Sequence, residues 1–129
     1  MEQNLSSLST IMKVLLSHRV IIGMLKELIA DFKQAITIEQ LIVLDCIWEN
    51  GLVSQQELAS LVVKDKSAIH RIVTSLNEKG WATVQGDKTD KRRNLVGLTD
   101  QGKYVYAQVC EKMVPALIPG KLAGITTNG

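Results

Sequence analysis

The residues best suited to chemistry lie in two short stretches, and the chemistry they suit is recognition of a polyanion. With residues 66–79 on a helical wheel at about 100° per residue, Ile69, Ile72, Val73 and Leu76 fall on one side at core-facing spacing. Ser67, Arg71 and Thr74 fall opposite, flanked by His70, with Lys66 opening the segment and no acid at the centre of the face. Such a face matches what a major groove presents. Arginine can bond guanine through two hydrogen bonds, Ser and Thr can serve several bases or a phosphate, and His can donate to an acceptor edge. An ordinary solvated helix face has the same amphipathicity, so the neighbouring sequence must decide. Residues 86–93 supply the second stretch: Lys88, Lys91, Arg92 and Arg93 crowd a narrow polar loop. A tip of that width can follow phosphates or place one Arg in the minor groove, although it would also suit a merely soluble turn. Asp90 sits among these cations, where it would pair with Arg92 or a neighbour and hold that guanidinium in position.

Charge distribution points the same way. Between Lys64 and Arg93 eight Lys and Arg face four acids, a local net of +4, while the rest of the chain is at −2 and the whole at +2. A basic stretch on a mildly acidic body is the electrostatic footprint of a nucleic-acid reader. No Gly-rich phosphate loop, His/Cys metal cluster, Ser/His/Asp set or acid pair is present in the sequence, so an enzyme, a metal site and a cofactor are not expected. Cys46 and Cys110 fit no metal spacing and suit a reducing compartment. The apolar N-terminal stretch is interrupted by Lys13, His18, Arg19, Lys26 and Glu27, and this reads against a bilayer span and for a cytoplasmic protein.

The elements that must position these residues follow from periodicity. At 129 residues, 46% hydrophobic but only 4% aromatic, the chain is expected to be one domain built mainly of packed helices. From Leu5 to Phe32 the apolar positions follow a 3-4-3-4 seam broken only at His18, widened by Met12, Leu16, Ile21, Met24 and Leu28. One long helix results, with more apolar surface than a single neighbour requires. Thr37-Ile38-Glu39-Gln40 is a capping box for a helix that Gly51 ends. Leu52-Val53 reads as a short extended link. Ser54-Gln55-Gln56-Glu57 then caps a short helix through Leu58, Leu61 and Val62, and the helix from Lys66 to Lys79 follows, closed by Gly80. Two short helices so connected are a helix-turn-helix. After Gly80 the period becomes alternating: strands at 81–85 and 94–98 flank the charged loop. Thr99 caps a last helix running towards Pro115.

Here the residues reach a resemblance. Residues 89–102, Thr-Asp-Lys-Arg-Arg-Asn-Leu-Val-Gly-Leu-Thr-Asp-Gln-Gly, look like the wing signature of the multiple-antibiotic-resistance regulator (MarR) family. Residues 64–81 are similar to its recognition helix, with the closing Leu-x-x-x-Gly-aromatic turn, and the likeness covers roughly residues 37–105. It implies a mostly α winged helix-turn-helix with a small β-wing: a dimerisation helix at 1–35, the DNA-binding lobe at 36–99, and a C-terminal dimerisation helix and tail at 100–129. It further implies a bacterial homodimeric regulator, most often a repressor, reading double-stranded DNA at a pseudo-palindromic operator. Half-sites would lie about one turn, ~34 Å, apart. Lys66, Ser67, His70, Arg71, Thr74, Lys88, Lys91, Arg92 and Arg93 are then the expected DNA-binding residues, supported in the wing by Asp90.

Many members are released from DNA by small aromatic or phenolic compounds, and His18 is the residue here that could mark such a site or confer pH sensitivity. It reads more simply as a seam histidine bonded locally. Three features depart from the family pattern. His70 stands where Thr is common. No cysteine lies in the first helix, which disfavours peroxide sensing of the family type. Only 30 residues follow Thr99, and Pro119-Gly120 with Ile125–Gly129 reads as a loop and cap before a missing helix, implying a weaker dimer. Two alternatives remain open: a winged-helix module that binds proteins, which would not need the cationic wing, and a cysteine-based redox regulator.

Overall fold

A computed structural model describes residues 2–62, 64–90 and 92–117. Among these the chain forms α1 (Glu2–Ala30), α2 (Ile38–Asn50), β1 (Val53–Ser54), α3 (Gln55–Val62), α4 (Lys66–Glu78), β2 (Ala82–Gly86), β3 (Asn94–Leu98) and α5 (Asp100–Leu117). The mostly helical chain with a small antiparallel sheet is the expected winged-helix architecture. Residues fall into two compact units, one of Met1–Ala35 with the chain from Lys112 onward, the other Ile36–Glu111.

In the first unit α1 is bare along most of its length. Every described side chain from Ser7 to Ile21 is exposed, including Ile11 at 58%, Val14 at 64% and Val20 at 61%. An exposed apolar stripe of this extent marks an interaction surface, because water is a poor solvent for it. The stretch Ser7–Ala30 is also long and apolar enough to cross a membrane, with a mean hydropathy of 1.5. One helix of this kind does not make a span, since helices of soluble proteins match it in length and composition. Lys112 lies with its ammonium 5.4 Å from the centre of the Phe32 ring, a cation–π distance.

The second unit holds the core of the helix-turn-helix. Val43, Leu44 and Ile47 of α2, Leu58 of α3, and Ile69, Ile72, Val73 and Leu76 of α4 are buried together with Val96 of β3. Both halves of the first capping box form: Thr37 Oγ1 accepts the Gln40 N–H, and Gln40 Oε1 accepts the Thr37 N–H, each at 3.1 Å. Gln40 is also the buried joint between α2 and α4. Its Nε2 donates to Ser75 Oγ at 2.7 Å and its Oε1 accepts from Lys79 Nζ at 2.9 Å. Lys79 lies over the Trp81 ring at 4.7 Å, and burial pulls its ammonium below the usual lysine range. Between α2 and α5, the Tyr106 hydroxyl donates to Asp45, and Trp48 stacks on the Tyr106 ring at 4.8 Å. Burial first, then that hydrogen bond, pushes the Tyr106 phenol far above its ordinary range.

Two local expectations change. The link at Leu52-Val53 instead runs into a third strand: Val53 and Ser54 pair antiparallel with Val96 and Leu95, so the sheet order is β1-β3-β2. Two residues are too few to show an alternating pattern, so only the partner strand reveals them. The capping box at Ser54 is half formed. Ser54 Oγ accepts the Glu57 N–H at 3.1 Å, but Glu57 turns its carboxylate to Arg93. The tail features noted at Pro119-Gly120 and Ile125–Gly129 lie outside the described residues.

One corner joins α4, both long strands and α5. Gly80 takes a positive φ of 78° after the last turn of α4, and Trp81 N–H bonds back to Leu76 at 2.9 Å. Thr99 then closes the corner. Its N–H donates to the Trp81 carbonyl at 3.1 Å, its hydroxyl donates to the Gly80 carbonyl at 2.6 Å, and the same oxygen accepts the Gly102 N–H at 3.0 Å.

Candidate nucleic-acid interface

The α4 helix begins with Asp65, whose carboxylate accepts the Ala68 N–H at 2.7 Å and offers negative charge to the helix N-terminus. Its apolar stripe faces the core and turns the other side outward. Lys66, Ser67, His70, Arg71 and Thr74 are all exposed, and no acid lies among them. The face expected from the wheel is therefore present as a continuous polar, neutral-to-cationic surface.

The wing is the β2–β3 hairpin, with Ala82 to Gly86 registered against Leu98 to Asn94. Its loop is closed by the Asp87 N–H donating to the Arg93 carbonyl at 2.9 Å and the Arg93 N–H donating to the Asp90 carbonyl at 3.0 Å. Asp87 Oδ1 accepts from both the N–H and the hydroxyl of Thr89, at 2.9 and 2.7 Å, and these bonds hold its carboxyl below the usual range. Asp90 supports the wing by a different route from the one expected. Its Oδ1 accepts the backbone N–H of Arg92 at 3.1 Å, and among the described residues its carboxylate pairs with no guanidinium. A two-residue turn brings the Asp carboxylate to the backbone more readily than to a long side chain.

Lys88 and Arg92 are exposed at the tip. Arg93 is engaged, bonded to Glu57 of α3 and 4.0 Å from Asp87. Lys91 lies outside the described residues. A single open cleft is lined by Lys66 and His70 from α4 and by Arg92 and Arg93 from the wing, so the hairpin and the outward face of α4 stand side by side. Gln55 and Gln56 line the same cleft. Sequence reasoning passed over them, yet their place in the first turn of α3, fixed by the Ser54 cap, was the signal: in a helix-turn-helix the first helix lies across the nucleic-acid backbone.

His18 is exposed on α1, in the other unit. Cys46 and Cys110 are free thiols of intermediate exposure. Burial, with Asp45 adding to it, raises the Cys46 thiol above its ordinary range, which keeps it protonated and weakly nucleophilic at neutral pH.

Residues 36–93 match the MarR family model. No curated protein sequence matches the chain significantly. Among solved structures, a cysteine-to-serine mutant of MarR from E. coli, in complex with operator DNA, superposes with a TM-score of 0.74 at 26% identity, covering 81% of this chain and 73% of that one. AbfR of Staphylococcus epidermidis superposes at 0.80 with 20% identity, covering 90% and 78%. BpsR of Bordetella bronchiseptica, whose structure concerns regulation of DNA binding by 6-hydroxynicotinic acid, superposes at 0.70 with 19% identity, covering 87% and 86%. With a helix-turn-helix core, a three-stranded winged sheet and this agreement of sequence and structure, residues 36–93 carry a MarR-family winged helix-turn-helix domain, the kind that is bound to operator DNA in the E. coli MarR complex.

Proposed function

We propose that this chain is a bacterial, cytoplasmic repressor that binds a pseudo-palindromic operator as a homodimer. One observation carries the reading: the outward face of α4 from Lys66 to Thr74, which holds no acid, shares a cleft with the arginine-bearing wing. A duplex presents base edges in its major groove within reach of phosphates and of the adjacent minor groove, and the two surfaces match these in turn. Lys66, Ser67, His70, Arg71 and Thr74 enter the major groove. Lys88, Lys91 and Arg92 follow the backbone or the minor groove. Selection of bound duplexes from a randomised pool tests this directly. The expected outcome is a two-fold symmetric site whose half-sites are about one turn, ~34 Å, apart. Recovery of no duplex, or of a single asymmetric half-site, would overturn it.

The dimer is supported by the bare apolar stripe of α1, which a second copy would cover. Replacing Ile11 and Leu15 with Asp puts unpaired carboxylates into that seam. Sedimentation at micromolar concentration is expected to give a dimer for the wild type and a monomer for the variant, a loss of at least ~100-fold in association. A wild-type monomer that still binds one operator tightly would contradict the reading. Release by a small aromatic compound is the mode of control we assign, by analogy with the regulation of BpsR by 6-hydroxynicotinic acid.

A further inference from the structure

We propose that Arg93, although it belongs to the cationic wing, is a positioning residue whose guanidinium straps the wing to the start of α3 and so sets the wing's angle to α4. This rests on the DNA-binding reading above and refines it, because Arg92 and Arg93 are adjacent in sequence and differ in circumstance.

The Arg93 side chain is held from two sides. Its Nη2 donates to Glu57 Oε1, and its Nε lies 4.0 Å from Asp87 Oδ2. Asp87 is itself fixed, since its other oxygen takes two hydrogen bonds from Thr89. The Arg93 backbone closes the base of the loop through the Asp90 carbonyl and the Asp87 N–H. Glu57 is equally well placed. Its N–H is bound by Ser54 Oγ, and Ser54 lies in β1 opposite Leu95 of β3. The ion pair therefore closes across the edge where α3 and the wing strand already meet. A guanidinium between two carboxylates carries a local net charge of −1, which makes it a poor phosphate ligand. Arg92, like Lys88, has no carboxylate partner among the described residues and is left for DNA. An exposed pair of this kind contributes little to folding stability, so its effect is read in orientation.

The test uses a labelled duplex recovered from the randomised pool by the wild type, with anisotropy as a function of salt. Glu57→Gln is expected to weaken binding about fivefold, the scale of an exposed ion pair, even though it removes a negative charge beside the phosphates. Arg93→Ala is expected to weaken binding by a similar factor with the salt slope unchanged. Arg92→Ala lowers that slope by about one per protomer. Arg93→Glu combined with Glu57→Arg is expected to recover most of the affinity lost by Arg93→Glu alone. Tighter binding by Glu57→Gln, or a reduced salt slope for Arg93→Ala, would overturn the strap and return Arg93 to the DNA contacts. A readout without DNA keeps this separate from the function itself: in the free protein, Glu57→Gln is expected to speed hydrogen exchange at the Arg93 amide. Unchanged exchange there would refute the strap even if a duplex is bound.

Discussion

Arg71→Ala is expected to cost roughly 30-fold or more in operator affinity and to relax base choice at one position in each half-site. Arg71 is exposed at the middle of the α4 face, with Ser67 and Thr74 on the same side and the buried Ile72 and Val73 behind it. A bidentate Arg–guanine contact is worth about 1–3 kcal/mol of discrimination, and a two-fold complex loses it twice. Arg92→Ala is expected to act differently. It sits on the wing tip beside the same cleft, so its loss weakens binding to all sequences and flattens the salt dependence, because fewer counterions are released. The double variant is expected to bind its operator no better than unrelated duplex, while circular dichroism shows an unaltered fold. Both side chains are exposed and lie outside the core, so a folding defect is not the expected cause. Gel shifts in which the double variant matches the wild type would remove α4 and the wing tip from the DNA interface.

Gly102→Ala is expected to destabilise the fold by at least ~3 kcal/mol, with the thermal midpoint lowered by roughly 10 °C. A Cβ added at Gly102 would lie 1.9 Å from the Trp81 carbonyl oxygen and 2.8 Å from its carbonyl carbon. Both are backbone atoms, and the oxygen already accepts the Thr99 N–H, so neither can step aside without opening the corner. The turn after α4 and the start of α5 would have to part, and the wing strands between them would lose their anchor. Thermal or urea unfolding measures this. A variant as stable as the wild type would show that the corner is looser than its hydrogen bonds indicate.

That corner also shows how far residue patterns can be read without coordinates. The Leu-x-x-x-Gly-aromatic turn and the Val-x-Leu-Thr-x-x-Gly stretch stand out separately along the chain. In space they are two halves of one joint, because Thr99 and Gly102 close on Gly80 and Trp81. The amphipathic helices, the capping box at Thr37 and the presence of the long hairpin were legible because each depends on residues within a few positions of one another. β1 was not. Two residues carry no period, and their strand character comes from β3, some 40 residues away. Gln55 and Gln56 escaped notice for a related reason: an exposed amide has no pattern of its own, and only the cleft gives it neighbours of interest.

Local order thus determined the helices, the hairpin and the outward polar face of α4, since helix and strand periods follow directly from which positions must leave water. Tertiary structure alone decided that Glu57 takes Arg93, that Asp90 serves backbone and not guanidinium, and that Arg92 keeps no acid partner among the described residues. Charged side chains are long and their partners are set by the meeting of elements distant in sequence. Four neighbouring cations in a loop look alike until the fold brings an acid to one of them.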